Sequence, residues 1–230
     1  DDERATMRAL LTESTRCLVQ VGDAKNLRRT LTLTALLAEL GLPMVLALNM
    51  HDEAAARGVT VDVDALGQAL DIPVVTTVAT GGEGMGELTQ AIEAARRPDT
   101  LLQYDPEIES LIAQTTAAIT RRAPHPHLAA RGLAILFLGG DDEVSQWLAA
   151  QAGEHFAELQ ALRQAHAGTG PQALPPRLAR ERTQAADALA GSVIQRAPKS
   201  SPLLSQRIGQ YVVHPAWGWP ILLGVLFAVY

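Results

Sequence analysis

The tetrad Asn49-Met50-His51-Asp52 closes the apolar run Met44-Val45-Leu46-Ala47-Leu48. An Asn-x-x-Asp at the end of a buried strand can read guanine. Guanine presents its N1–H and its N2 amino group side by side, and the Asp52 carboxylate can accept from both. Asn49 can donate to N7 and brace the loop, with Met50 between the two readers. Adenine lacks the N1–H and would leave the carboxylate partly unpaired, which is costly. Sites built in this way reject the wrong partner by roughly 10⁴-fold. Two fixed positions in four are equally the mark of a strand-end turn capped by Asn and Asp, so the tetrad alone does not decide. After the next strand, Val78-Ala79-Thr80 falls where a second base-contacting loop belongs, with the Ala79 N–H set to reach guanine O6. The plain alternative is a strand-to-helix loop whose glycines supply positive φ.

Other reactive side chains carry less. Pro124-His125-Pro126-His127 places two histidines between prolines, which reads as a solvated loop ahead of a metal site. Cys17 begins an apolar run and reads as a core residue. Asp141-Asp142-Glu143 after Gly139-Gly140 reads as a helix N-terminus with favourable carboxylates. His214 carries no assigned function, and no Ser/His/Asp or Cys/His arrangement follows from the spacings. The expectation is no catalytic residue and no metal ligand among these side chains.

The elements that must position the tetrad follow an α/β rhythm. Apolar runs at 17–21, 44–48 and 73–76 read as buried strands. Between them, Asn26 can cap a helix running to Leu40, with Leu27, Leu31, Ala35 and Ala38 at helical spacing and Gly41 at its end. Asp62 or Asp64 caps a helix ending near Leu70, and Met85 to Arg96 is a helix after the Gly81-Gly82-Glu83-Gly84 loop. Three such strands predict a parallel sheet with right-handed crossovers. Ligands of such sheets bind beyond the carboxyl ends of the strands. The loops Asp23-Lys25, Asn49-Asp52 and Val78-Gly82 therefore share one rim. Residues 99–200 are rich in Ala, Gln and Arg and predict helices over 105–122, 127–138, 142–151, 153–166 and 176–196. Within them, Leu133 to Leu138 would pass for a strand if taken alone.

Composition narrows the function classes. The 230 residues are 47% hydrophobic and 19% charged, which excludes a disordered or disulfide-stapled chain. Aromatics at 4% leave no base-stacking platform for single-stranded nucleic acid, and a net charge of -6 repels phosphate backbones, so no nucleic-acid partner is expected. The single cysteine fits a reducing compartment and cannot form an internal disulfide. At the other end, no Asp, Glu, Lys or Arg occurs from Ile208 to Tyr230. After a linker at 197–202, Leu203 to Val213 can lie along a membrane surface, and an apolar run from Trp217 stops at Tyr230, short of the roughly 20 residues of a span. Arg196, Lys199 and Arg207 before that run place residues 1–200 on the cytoplasmic side. With no initiator Met, both ends read as cut from a longer protein.

A family resemblance covers the whole chain. Val21-Gly22-Asp23-Ala24-Lys25-Asn26-Leu27-Arg28-Arg29, the stretch Glu39 to Ala54, Gly84, and His214-Pro215-Ala216-Trp217-Gly218-Trp219-Pro220-Ile221 together resemble the bacterial ferrous iron transport protein B (FeoB) family. Asn-Met-x-Asp, where most small GTPases have Asn-Lys-x-Asp, is characteristic of it. The resemblance implies an α/β fold: a partial P-loop-type GTPase domain with an incomplete parallel sheet (1–98). An all-α helical domain (99–200) and the start of a first transmembrane helix (201–230) follow. It implies a bacterial inner-membrane protein moving Fe²⁺, with GTP read by Asn49, Met50, Asp52, Val78, Ala79 and Thr80. Mg²⁺ would enter only in the intact protein. The partners implied are guanine nucleotide, the lipid membrane, the rest of the FeoB chain and small Feo accessory proteins.

The family's phosphate loop has no counterpart here. No G-x-x-x-x-G-K-[ST] occurs in the 230 residues, and the two lysines, Lys25 and Lys199, do not follow glycine. The expected start therefore lies just after the second switch. Base contacts of roughly 1.5–3 kcal/mol each, set against at least about 4 kcal/mol of lost freedom, predict millimolar GTP affinity and no turnover for these residues alone. Two other readings stand beside this one: a membrane-tethered interaction module with a degenerate GTPase fold, and a soluble nucleotide-dependent enzyme with a helical cap.

Overall fold

The computed structural model describes residues 2–98, 102–166, 168, 170–196 and 227. The linker at 197–202, the surface helix at 203–213, His214 and, apart from residue 227, the apolar run from 217 to 230 lie outside them. Among the described residues no helix is long and apolar enough to cross a membrane.

The apolar runs form the sheet expected of them. Strand β1 (Leu18–Asp23) is followed by helix α2 (Leu27–Ala38), strand β2 (Met44–Asn49), helix α3 (His51–Ala56) and the short strand β3 (Val59–Val61). Helix α4 (Val63–Leu70), strand β4 (Val74–Thr77) and helix α5 (Met85–Glu93) complete this half. The main sheet is parallel, in the order β1-β2-β4. Its centre, β2, is buried from Met44 through Leu48, which is why it reads as an unbroken apolar run. On α2 the four residues expected to face the sheet, Leu27, Leu31, Ala35 and Ala38, are all buried. Asn26 precedes that helix without capping it; its Nδ2 donates to Asp23 Oδ2 at 2.8 Å. Asp62 is the cap of α4, accepting from the Ala65 N–H.

The second half is helical: α6 (Pro106–Arg122), α7 (Ala130–Leu138), α8 (Asp142–Ala152), α9 (Phe156–Ala165) and α10 (Leu174–Val193). Leu133 to Leu138 is buried all round within α7, which explains why it carries no amphipathic period. Asp141 caps α8 through the Val144 N–H, as its acidic run suggests. The G-domain-like α/β fold with a parallel sheet is thus followed by a helical domain.

Several elements depart from the sequence reading, and α3 and β3 are absent from it. The helix expected over 176–196 ends at Val193, and Ile194–Arg196 turns into a strand, β5, antiparallel to β3 with Val61 opposite Ile194. The Asp62 N–H donates to the Val193 carbonyl at the junction. Strand pairing with a distant segment, which sequence period cannot show, outweighs local helix preference here. Helix α1 (Asp2–Thr12) is likewise absent from the reading, because only Leu10 and Leu11 at its end are buried. It lies against α8, where Arg8 holds Glu143 through Nε at 2.6 Å and Nη2 at 2.9 Å, and Arg4 reaches Asp142. Cys17 stands just before β1 and is half-buried, not in the core; burial still raises its thiol pKa.

The halves share their cores. Ala186, Ala190 and Val193 of α10 pack into the sheet-side cluster, while Leu40 and Leu42 after α2 enter the helical one. At this joint Arg131 of α7 donates to Glu39 Oε2 at 2.8 Å and to both oxygens of Glu109 at 2.8 Å. Gly132 sits so close beneath that a Cβ would lie 2.4 Å from the Glu39 carbonyl oxygen and 2.9 Å from Leu40 Cα. Backbone cannot yield as a side chain would. Gly132→Ala is therefore expected to cost about 1–3 kcal/mol, read as a lower urea midpoint. A midpoint unchanged from the parent would show that the joint can open without penalty.

Candidate functional site

The rim forms because three strands end in register. Asp23 pairs with Asn49 across β1 and β2, and Asn49 with Thr77 across β2 and β4. Side chains then tie the loops together. Asn49 Oδ1 accepts from the Ala79 N–H at 3.0 Å and from Thr77 Oγ1 at 3.3 Å. Asn49 thus braces the second loop, a contact the sequence does not announce, and its amide nitrogen has no partner among the described residues. The Ala79 N–H, expected to reach guanine O6, is instead committed to Asn49 in this structure. Thr77 is buried and holds this bond away from water; it was missed, because a threonine in a strand gives no signal of its own.

Met50 takes a left-handed conformation, φ 58°, which is uncommon for a bulky side chain. This turn stops β2 and starts α3 within one residue. It sets Asp52 in the exposed first turn of α3, where nothing among the described residues pairs with its carboxylate. Val78 is half-buried; Ala79 and Thr80 are exposed at the tip. The loop closes on itself through Val78 N–H to the Glu83 carbonyl, 3.2 Å, and Gly81 N–H to the Val78 carbonyl, 3.0 Å. Gly84 then starts α5 at φ 76°, and a Cβ there would lie 2.1 Å from the Thr76 carbonyl oxygen, so only glycine fits. On the third loop, Asp23 Oδ1 accepts from the Lys25 N–H at 2.9 Å. Lys25 Nζ donates to Glu53 Oε2 at 2.7 Å and contacts Met50 Sδ at 3.2 Å. All six residues named from the sequence stand on this one rim, and Lys25 and Thr77 join them.

The arrangement offers an accepting carboxylate, a donating amide and a thioether side chain on a shared edge. His125 lies elsewhere. Its Nδ1 accepts from the His127 and Leu128 N–H groups, so Nε2 carries the proton and donates to the Leu11 carbonyl at 3.1 Å. Both ring nitrogens thus serve the packing of α1 on the helical half. Glu143 and Asp142 are likewise engaged by α1, and among the described residues no group of three His, Cys, Asp or Glu is gathered to hold a metal ion.

Comparison with known proteins finds relatives of both halves of the chain. Residues 1–92 match the family described as Ferrous iron transport protein B, and residues 104–195 match the FeoB cytosolic helical domain. The Fe(2+) transporter FeoB of Staphylococcus aureus (strain COL) is 27% identical over 233 aligned residues, covering 100% of this chain and 35% of that protein. A Fe(2+) transport protein A/Fe(2+) transporter FeoB fusion protein of Porphyromonas gingivalis is 36% identical over 159 residues, 65% of this chain and 19% of its own. The chain spans about a third of the length of the full-coverage relative. Among solved structures, an S. thermophilus NFeoB variant bound to GDP superposes with a TM-score of 0.69 at 25% identity, covering 83% of this chain and 73% of that one. Together the two matched domains take in most of the sequence, and the chain belongs to the ferrous iron transport protein B (FeoB) family.

Proposed function

We propose that these residues are the cytosolic guanine-nucleotide-reading region of a ferrous iron transporter in the bacterial inner membrane. Residues 1–98 form the later part of its G domain and 99–200 its helical domain. One observation carries the reading: Asn49 locks the 78–80 loop to the end of β2 while the Asp52 carboxylate on the same rim stays unpaired. The free Asp52 carboxylate suits the donor pair of guanine, and the amide nitrogen of half-buried Asn49, three residues before it, is left to donate to N7; adenine is a poor partner for the carboxylate. The GDP bound to the S. thermophilus relative supports the ligand class, and Fe²⁺ as cargo follows from what the relatives transport. The P. gingivalis fusion supports a small accessory protein as a partner. No residue here is assigned to phosphate or Mg²⁺, since the 230 residues contain no phosphate-loop pattern.

Asn49 is the test of the loop brace. Asn49→Ala in the full-length gene product removes one acceptor used twice and one donor to the base. GDP affinity is expected to fall by about tenfold or more, with ADP binding unaltered and weak. Titration of a fluorescent GDP analogue reads this directly. Parental affinity in the variant would count against Asn49 as a base contact, and equal affinity of the parent for ADP and GDP would remove the guanine reading altogether.

A further inference from the structure

We propose that Lys25 is the positioning residue of the base site: its ammonium, arriving from the β1 loop, pins the Met50 thioether in place as the wall on which the purine rests. The inference rests on the guanine reading above. Lys25 Nζ stands 3.2 Å from Met50 Sδ and 2.7 Å from Glu53 Oε2, so one ammonium bridges the residue between the two base readers and the residue just after them.

The bridge is built from both sides. Asp23 lies level with Asn49 in the sheet; its Oδ1 takes the Lys25 N–H and its Oδ2 takes Asn26 Nδ2, so the lysine backbone is fixed before its side chain extends. The Lys25 side chain is only 14% exposed, against 51% for Glu53, which makes the lysine the held partner and not a wandering surface cation. Met50 in turn is anchored by its carbonyl, which accepts the Ala54 N–H at 3.1 Å, yet 39% of the residue remains exposed on the rim. A thioether held by its sulfur presents a polarizable surface of the kind that packs well on aromatic rings. Lys25 has three donors, two of them engaged; neither Met50 nor the left-handed turn it occupies has another side-chain restraint among the described residues.

A wall and an edge reader fail differently, and that separates the roles. In the full-length gene product, Lys25→Met keeps the aliphatic stem and removes the charge. GDP and inosine diphosphate affinities are both expected to drop by about tenfold, with their ratio unchanged, because stacking does not see the N2 amino group. Glu53→Gln leaves the sulfur contact and is expected to weaken both by about threefold. The melting temperature without nucleotide should move by less than about 4 °C, since the ion pair is partly exposed. In a Met50→Leu background the acceptor sulfur is gone, and Lys25→Met should then add less than it does in the parent. Parental GDP affinity in Lys25→Met, or a loss that merely tracks a lowered melting temperature, overturns the proposal. An Asp52→Asn protein that keeps its guanine preference overturns the underlying base reading, and this inference with it.

Discussion

Asp52→Asn in the full-length gene product is expected to exchange guanine preference for xanthine preference. The carboxylate accepts from two donors of guanine, N1–H and the N2 amino group. An amide can accept from only one of them and turns its own NH₂ on the other. Xanthine carries a carbonyl at C2, which restores the match. Two charge-assisted hydrogen bonds of roughly 1.5–3 kcal/mol each put the change in the GDP to XDP affinity ratio at about 10²–10⁴. The carboxylate is exposed in the first turn of α3 and unpaired among the described residues, so the substitution should leave folding intact. Competition of the two diphosphates against one fluorescent probe measures the ratio in a single series. A ratio that stays within a factor of about three of the parent would leave Asp52 only a favourable charge in the first turn of α3.

Arg131→Ala is expected to destabilise the protein by about 3–5 kcal/mol, through the charge it leaves behind. Glu39 is only 2% exposed and its Oε1 has no partner, so Oε2 depends on the Arg131 Nε at 2.8 Å. Burial raises the Glu39 carboxyl pKa, while hydrogen bonds from Arg131 lower that of Glu109. The Arg131 guanidinium, held by both carboxylates, titrates above its ordinary range. Without the arginine, Glu39 escapes its burden only by taking a proton. A carboxyl with a raised folded-state pKa contributes stability below its unfolded pKa of about 4.3 and loses it as pH rises through the folded value. The variant should therefore lose more stability at pH 7 than at pH 5. Glu39→Gln/Arg131→Met should regain most of the loss at neutral pH, because no buried charge remains. Urea midpoints at the two pH values decide this; equal losses at both would remove Glu39 as the cause.

Much of the sheet is legible in the sequence because its central strand is buried on both faces, although β1, expected to be buried too, leaves Val19 and Val21 exposed. Met44 to Leu48 has no polar interruption to obscure it, and the α2 stripe of Leu27, Leu31, Ala35 and Ala38 keeps a clean helical period. The rim follows from these by topology, which is how six residues of one rim can be named from the sequence. What stays hidden is made by partners distant in sequence. Ile194–Arg196 extends because β3 is there to receive it, and three residues of β3 carry too little pattern to announce themselves. Asn26 has the right side chain for a cap and spends it on Asp23. Ala79 has the right N–H for a base and gives it to Asn49. Lys25 is invisible for the same reason: nothing in Gly22-Asp23-Ala24-Lys25 says that its ammonium meets a methionine on the next strand.

The three-residue pairing of β3 with β5 has a mechanical consequence. Because the strands run oppositely, Arg196 lies opposite Val59, at the end where β3 joins α3. Residue 196 thus stands at the same edge at which the tetrad's helix hands over to β3. A pull on residue 196 would peel the ribbon one rung at a time, beginning beside α3, in place of shearing all rungs together. Unzipping of this kind breaks one pair at a time, so the edge next to the tetrad is the first to feel such a pull.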